Sequence, residues 1–253
     1  MDECFSLSVI MPALNEEENI EEAIREVISG FDEFNLKGEI VVVDDGSSDS
    51  TLEIVKRKAG EYPKKIKVIH HQEPLGVGRC FWDGVRGAKG SFVCMLPGDN
   101  ENNPREIFRY VKLFNDVDII IPFVFNKEVR SKLRNFISSL YTWIINLSFF
   151  TSLNYTNGTV LYRKSVLETL DNKAEGFFFQ TDILIRLVKK GYLFAEVPYR
   201  LRQRKKGLSK AFSFKSLREV TKGYFKLLLT LFLKRKSLKD WPSDSQTFKR
   251  MRN

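Results

Sequence analysis

The sequence predicts an α/β fold: a mostly parallel central sheet with helices on both faces. Three observations predict it. Ile40-Val41-Val42-Val43 is a run of four apolar β-branched residues, the pattern of a strand covered on both sides. Leu7 to Met11 forms a second run, stopped by Pro12, and between the two runs Ile20, Ala23, Ile24, Val27 and Ile28 recur at helical spacing. The resulting order is β-α-β, and a further buried run, Phe92 to Leu96, again leads through a glycine turn into a helix.

Each strand hands its chain to a polar turn, and ligands of such sheets bind at the strands' carboxyl ends. The first strand is followed by a short loop carrying Asn15 and Glu16. The second delivers Asp44 and Asp45 into the turn Gly46-Ser47-Ser48, where the acid pair can accept hydrogen bonds from a ribose or a base. Gly46 lets the backbone turn, and Asp49 or Ser50 caps the next helix. A capped turn without a ligand satisfies this segment equally well. Ile66 to Ile69 reads as a third strand, and His70 and His71, the only histidines, as its terminus rather than as catalysts. From Gln72 to Ala88 a glycine-rich entry into a helix exposes backbone N–H groups suited to phosphate, with Arg79 in its first turn.

The turn after Phe92 to Leu96 reads Pro97-Gly98-Asp99-Asn100-Glu101, and Asn103-Pro104 then starts a helix. Oxygen ligands two residues apart, Asp99 and Glu101, can point the same way and grip a hard cation such as Mg²⁺ or Mn²⁺, which in turn binds a diphosphate. Downstream, Phe178 to Leu187 has helical spacing with Asp182 near its amino end, where an acid also complements the helix dipole. Arg200, Arg202 and Arg204 alternate along one face of the next strand, with Lys205, Lys206 and Lys210 close behind, a pattern also met in a solvated edge strand.

The chain has 253 residues, 43% of them hydrophobic, enough to fill one α/β core, and no internal repeat or low-complexity linker divides it. Cys4, Cys80 and Cys94 have no metal or redox spacing, so structural thiols in a reducing compartment are expected. The amino terminus lacks the pattern of a signal peptide. The apolar stretches Phe136 to Phe150 and Tyr224 to Leu233 fall short of the roughly 20 residues that span a bilayer, so they lie in a headgroup region or pack in the core. From Tyr199 to Asn253 there are 17 Lys plus Arg against three acids, with aromatics and leucines interleaved. Such a segment suits an anionic membrane surface. No recognisable nucleic-acid module accompanies the charge, so nucleic acid is not expected as a partner. Residues 1–210 are read as one catalytic domain and 211–253 as a basic amphipathic tail.

The Pro12-Ala13-Leu14-Asn15-Glu16 loop and the Asp44-Asp45-Gly46-Ser47 turn resemble the GT-A (Rossmann-like) glycosyltransferases, in the large inverting family that includes dolichol-phosphate mannose synthase and related polyprenyl-phosphate glycosyltransferases. The resemblance spans about Leu7 to Lys210. It assigns the nucleotide sugar to Pro12, Ala13, Asn15, Glu16, Asp44, Asp45, Arg79 and Asp99, and the metal to Asp99 and Glu101. The chain departs from the family in three places: Pro97 stands where the first Asp of Asp-x-Asp belongs, and Asn154 and Val160 replace the acid and the arginine of Asp-x-Thr-Ser-Gly-Phe-Arg. Glu196-Val197-Pro198 and the loop Arg204 to Lys210 are similar to the polyprenyl-phosphate branch, where Arg204, Ser209 and Lys210 face phosphate; Arg200 and Arg202 join them as acceptor-binding candidates. Asp182 matches the acid that serves many members as general base.

The resemblance therefore implies inverting, metal-dependent transfer of a sugar from a UDP- or GDP-linked donor to a polyprenyl phosphate, by a protein peripheral on the cytoplasmic face of a membrane, with a membrane-protein partner left open. Arg204 and Asp182 are the catalytic candidates. Two other readings stand beside it: transfer to a glycan hydroxyl with Asp182 as base, and a catalytically inactive sugar-nucleotide-binding protein, suggested by Pro97, Asn154 and Val160.

Overall fold

The computed structural model describes residues 6–171, 174–202, 214–233 and 241–252. Seven strands form one sheet, in the order β3-β2-β1-β4-β6-β5-β7. They are β1 (Ser6–Ala13), β2 (Lys37–Asp44), β3 (Ile66–His70), β4 (Phe92–Met95), β5 (Ile119–Val124), β6 (Leu161–Arg163) and β7 (Phe194–Tyr199). Only β6 runs against its neighbours; the other pairings are parallel. The expected mostly parallel sheet is what the chain builds.

Alternation along the central strands feeds two cores, because successive side chains leave a strand on opposite faces. Leu7, Val9 and Met11 of β1, with Ile40 and Val42 of β2, pack under α1 (Ile20–Glu33), whose buried stripe includes the five positions expected from spacing. Val55 of α2 (Thr51–Glu61) and Ile107 and Phe108 of α4 (Pro104–Phe108) complete that side. On the other face Ile10, Val41 and Val43 meet α3 (Val77–Gly87), α5 (Lys132–Phe149), α6 (Lys164–Glu168) and α7 (Phe179–Lys189). Gly84 permits the close packing of α3: a Cβ there would lie 2.4 Å from Ile10 Cγ2.

The described parts of the C-terminal segment pack against the domain. Leu227 of α8 (Phe214–Leu233) is fully buried in the second core, and the Trp241 indole N–H donates to the Lys190 carbonyl at 3.1 Å. The backbone N–H groups of Gln246 and Thr247, which open α9 (Gln246–Arg252), donate to the buried Asp118 carboxylate at 2.7 and 2.9 Å. Asp118 also accepts from Arg163 Nε at 3.1 Å. Asp118 precedes β5, so this anchor lies at the amino edge of the sheet, away from the turns that carry the candidate residues.

The stretch Phe136 to Phe150 is core on one side only. Of α5, Thr142, Ile145 and Phe149 are buried, the last two within the second core, and Tyr141 packs against it half-buried; Leu133, Phe136, Ile137, Leu140, Trp143, Ile144 and Leu147 are exposed. No helix of the described chain is long and apolar enough to cross a membrane.

Candidate active site

The turns after β1, β2 and β4 meet at the carboxyl edge of the sheet, with β1 between the other two. The Asp45 N–H donates to the Ala13 carbonyl at 2.8 Å on one side of β1, and the Gly98 N–H donates to the Pro12 carbonyl at 3.0 Å on the other. Neighbouring strands lie about 4.8 Å apart, so Asp44 and the Asp99 turn flank the end of β1 about two strand spacings from each other.

The β1 and β2 turns are stitched together. Asn15 adopts a left-handed backbone (φ 55°). Its N–H donates to Ser47 Oγ at 3.0 Å while its side-chain oxygen accepts from the Ser48 N–H at 2.8 Å. The Glu16 N–H donates to Thr51 Oγ1 at 2.8 Å, and the Glu17 carboxylate accepts from the Ser50 N–H at 3.0 Å. Asp49, rather than Ser50, bonds the start of α2, accepting from the Thr51 N–H at 3.0 Å. Gly46, at φ 74°, closes the turn against the Glu73 backbone. The loop expected to hold the nucleotide is therefore preorganised by its own polar groups.

The two acids take different partners, because adjacent strand residues face opposite ways. Asp45 points to the α3 side and is fully engaged. Its Oδ1 accepts from His71 Nδ1 at 2.8 Å and the Leu75 N–H at 2.9 Å, and its Oδ2 from the Gly76 N–H at 2.9 Å. Burial opposes its ionisation, but these bonds and one from Cys80 outweigh that and hold the Asp45 carboxyl below the usual range. Asp44 points to the other face, fully buried, with His70 Nδ1 2.8 Å from its Oδ2. Its Oδ1 is buried with no partner, an acceptor lacking a donor. Of the two, Asp44 alone has a carboxylate oxygen without a bonded donor among the described residues.

Two expectations are corrected here, while a third holds. β3 ends at His70 as expected; His70 and His71 each bond one member of the acid pair, and His71 Nε2 also lies 3.0 Å from Asp83 of α3. The glycine-rich helix entry does not leave all its N–H groups for phosphate, since Asp45 takes those of Leu75 and Gly76. Arg200 and Arg202 do not alternate along a strand, because β7 ends at Tyr199. Arg200 lies outside it with its guanidinium 5.5 Å from the Phe125 ring centre, and Arg202 pairs with Glu26 of α1 at 2.5 Å. Arg204, Ser209 and Lys210 lie outside the described residues.

Arg79 is held between Asp83 (2.9 Å) and Glu175 (3.1 Å). Asp182 is buried, and Arg186 bonds both its oxygens at 2.7 and 3.0 Å. Asn154 bonds the Glu196 carboxylate through its N–H and its side-chain amide at 2.6 and 2.9 Å.

Asp99 and Glu101 share one turn, where Asp99 Oδ1 accepts from the Glu101 N–H at 3.1 Å. Two carboxylates suit a hard divalent cation whose other ligands are diphosphate oxygens and water, so the donor set fits Mg²⁺ or Mn²⁺. Among the described residues, the one group of three possible ligands, Asp45, His71 and Cys80, lies elsewhere. It is buried and bonded within itself, and desolvation and the Asp45 charge push the Cys80 thiol up, which keeps it a donor rather than a thiolate ligand.

A cavity of about 300 Å³ opens beside the carboxyl end of β5, lined by Phe125, Lys127, Arg130, Ser138, Asn154 and Tyr155 among others. Arg130 Nε is buried with no partner, and the guanidinium lies 5.9 Å from the Tyr155 ring centre. The cavity rim is tied to the turn of Asp99 and Glu101: Asn126 bonds both backbone groups of Leu201 at 2.9 Å, and Leu201 bridges Asn102. No motif marked Lys127 and Arg130; the available signal was two cations following a strand at its carboxyl end.

Residues 8–171 match the family described as Glycosyl transferase family 2. The chain belongs to that family. Among curated relatives, dodecaprenyl-phosphate galacturonate synthase of Rhizobium johnstonii is 24% identical over 64% of this chain and 49% of its own length. Undecaprenyl-phosphate 4-deoxy-4-formamido-L-arabinose transferase of Edwardsiella ictaluri is 28% identical over 65% and 51%. The chain thus spans about half the length of these two. Polyprenol monophosphomannose synthase of Mycolicibacterium smegmatis is 27% identical over 80% of this chain and 79% of its own. Among solved structures, glucosyl-3-phosphoglycerate synthase of Mycobacterium tuberculosis, in complex with Mg²⁺ and uridine diphosphate, superposes with a TM-score of 0.67 at 19% identity, covering 88% of this chain and 79% of that one. The family 2 chain has the GT-A fold expected from its turns.

Proposed function

We propose that this family 2 protein transfers a sugar, with inversion, from a nucleoside diphosphate sugar to a polyprenyl phosphate at the cytoplasmic face of a membrane. The observation that carries the acceptor half is the cavity beside β5, where a buried Arg130 Nε without a partner and Lys127 offer positive charge on the same sheet edge as the acid turns. The donor half rests on the locked Asn15 and Ser47 turns and the unpartnered Asp44 Oδ1, which suits an N–H or O–H of the nucleoside. The names of the curated relatives, each of which joins a sugar to a polyprenyl phosphate or polyprenol monophosphate, agree with this reading.

A phosphate monoester has a second pKa near 6, so at neutral pH its oxygen attacks without a strong base. What it needs is a cation to position it, the role we give Arg130 and Lys127. The attacking oxygen forms its bond to the anomeric carbon as the bond to the diphosphate breaks on the opposite side, and the nucleoside diphosphate leaves. Asp99 and Glu101 would hold a bound Mg²⁺ or Mn²⁺, which supplies charge neutralisation for the departing diphosphate. The hydroxyl-acceptor alternative asks Asp182 to take a proton while Arg186 engages both its oxygens, a weaker arrangement. Transfer assays with UDP- and GDP-sugars and a short-chain polyprenyl phosphate test the reading: a metal-dependent glycosyl phospholipid is expected, and transfer only to hydroxyl acceptors overturns it.

A further inference from the structure

The exposed side of α5 is a continuous apolar stripe. Leu133, Phe136, Leu140, Trp143 and Leu147 recur every three or four residues, and four of the five are 60% or more exposed. The helix has 18 residues, about 27 Å, and contains no acid. Beside it α8 exposes Phe225, Leu229 and Phe232. The two helices touch: Ser148 Oγ lies 2.7 Å from the Tyr224 hydroxyl, and the Phe149 and Tyr224 ring centres are 5.9 Å apart. Among the described residues nothing covers these two apolar faces, which lie side by side on one surface, a feature that marks an interaction site.

Charge selects the occupant. Lys132 and Arg134 open α5, Lys127 and Arg130 precede it, and exposed Lys222 and Lys226 flank the α8 face. A second copy would bring like charge to like charge; an anionic lipid surface would not. The orientation also fits. Ser138 and Thr142 on the neighbouring face of α5 line the Arg130 cavity, so a helix lying in the headgroup plane sets that cavity at the depth of lipid phosphates.

We infer that α5 and α8 form a bilayer-docking surface, in which the stripe from Leu133 to Leu147 lies in the headgroup region of an anionic membrane and opens the cavity to a lipid phosphate. The docking stands on the exposed faces alone; the service to the cavity rests on the polyprenyl-phosphate reading.

The test is co-sedimentation of the full chain with vesicles of phosphatidylcholine, with and without 30 mol% phosphatidylglycerol. Wild type is expected to partition at least tenfold more to the anionic vesicles, and the double variant Phe136→Glu, Leu140→Glu to lose at least tenfold of that binding at unchanged melting temperature. Trp143 emission should shift to the blue on wild-type binding, a shift absent in Trp143→Phe, which keeps the test valid should the charged variant not fold. Vesicle binding that survives the double variant with no Trp143 shift overturns the inference, as does conversion of a stable dimer to monomer by the same variant, or absence of vesicle binding by wild type. Transfer to a short-chain soluble polyprenyl phosphate is measured in parallel. Its loss with vesicle binding intact refutes the functional reading and leaves the docking standing; the reverse refutes the docking alone.

Discussion

Replacing Asp45 with Asn should destabilise the protein strongly without changing the shape of the side chain. Each carboxylate oxygen faces a backbone donor, the Leu75 N–H on Oδ1 and the Gly76 N–H on Oδ2, so an amide in either orientation puts its NH₂ group against an N–H. One charge-assisted hydrogen bond is lost, worth about 1.5–3 kcal/mol, and one buried donor is orphaned, costing about 1–3 kcal/mol. A total near 3 kcal/mol should lower the melting temperature by about 6–12 °C for a chain of this size. The pH dependence has a defined sign. The folded Asp45 carboxyl is held below its ordinary 3.8, so its contribution is fully present above that value and fades as the pH falls through the lowered one. Calorimetry on both proteins from pH 7 down to pH 3 should therefore show a gap that is constant above about pH 5 and shrinks below about pH 4. A gap under about 1 kcal/mol at pH 7, or one that widens on acidification, would refute the reasoning.

Three further substitutions separate the roles assigned at the site. Asp99→Asn should abolish the extra thermal stabilisation that Mn²⁺ gives a nucleotide donor and reduce transfer by at least about 100-fold, since a cation ligand is lost from a pair that already lacks a third acid at Pro97. Arg130→Ala should raise the KM for the lipid phosphate by about 10–100-fold, the worth of one charge-assisted contact, while donor stabilisation measured by thermal shift stays as in wild type. Asp182→Asn should cost less than about tenfold in turnover with a polyprenyl phosphate, because the dianionic acceptor needs little base assistance; near-complete loss in a folded variant would instead support the hydroxyl acceptor.

Much of the fold was legible because burial dictates it locally. The largely apolar run at 7–11 and the β-branched run at 40–43 became central strands, and the i, i+3, i+4 stripe from Ile20 to Ile28 became the buried side of α1. The edge where the site would form was legible for the same reason, since parallel strands present their turns together. What each polar side chain does there was not. Asp44 and Asp45 are neighbours in sequence, but strand alternation turns one toward His70 and the other into the backbone of Leu75 and Gly76, and that contact pattern depends on where β3 and α3 come to rest. The ion pair of Arg202 with Glu26 was not legible, because Glu26 lies far away in sequence on α1. Lys127 and Arg130 went unnoticed because a cavity between a strand end, α5 and the Asn154 loop is a tertiary object with no spacing of its own. The charge of the C-terminal segment was plain, but its docking on Asp118 was not, since one buried carboxylate at the amino edge gives no signal near residue 246.

In the proposed reaction one sheet edge joins an activated sugar to a lipid phosphate. Incubation with each labelled UDP- and GDP-sugar, a polyprenyl phosphate and Mn²⁺, followed by extraction of the lipid phase, measures that joining directly. One donor should place label in a glycosyl phospholipid, and both chelation of the metal and Arg130→Ala should sharply reduce it. Label that enters the lipid equally well with the metal chelated and Arg130 removed would contradict the account, as would a folded, donor-binding protein that labels no lipid at all.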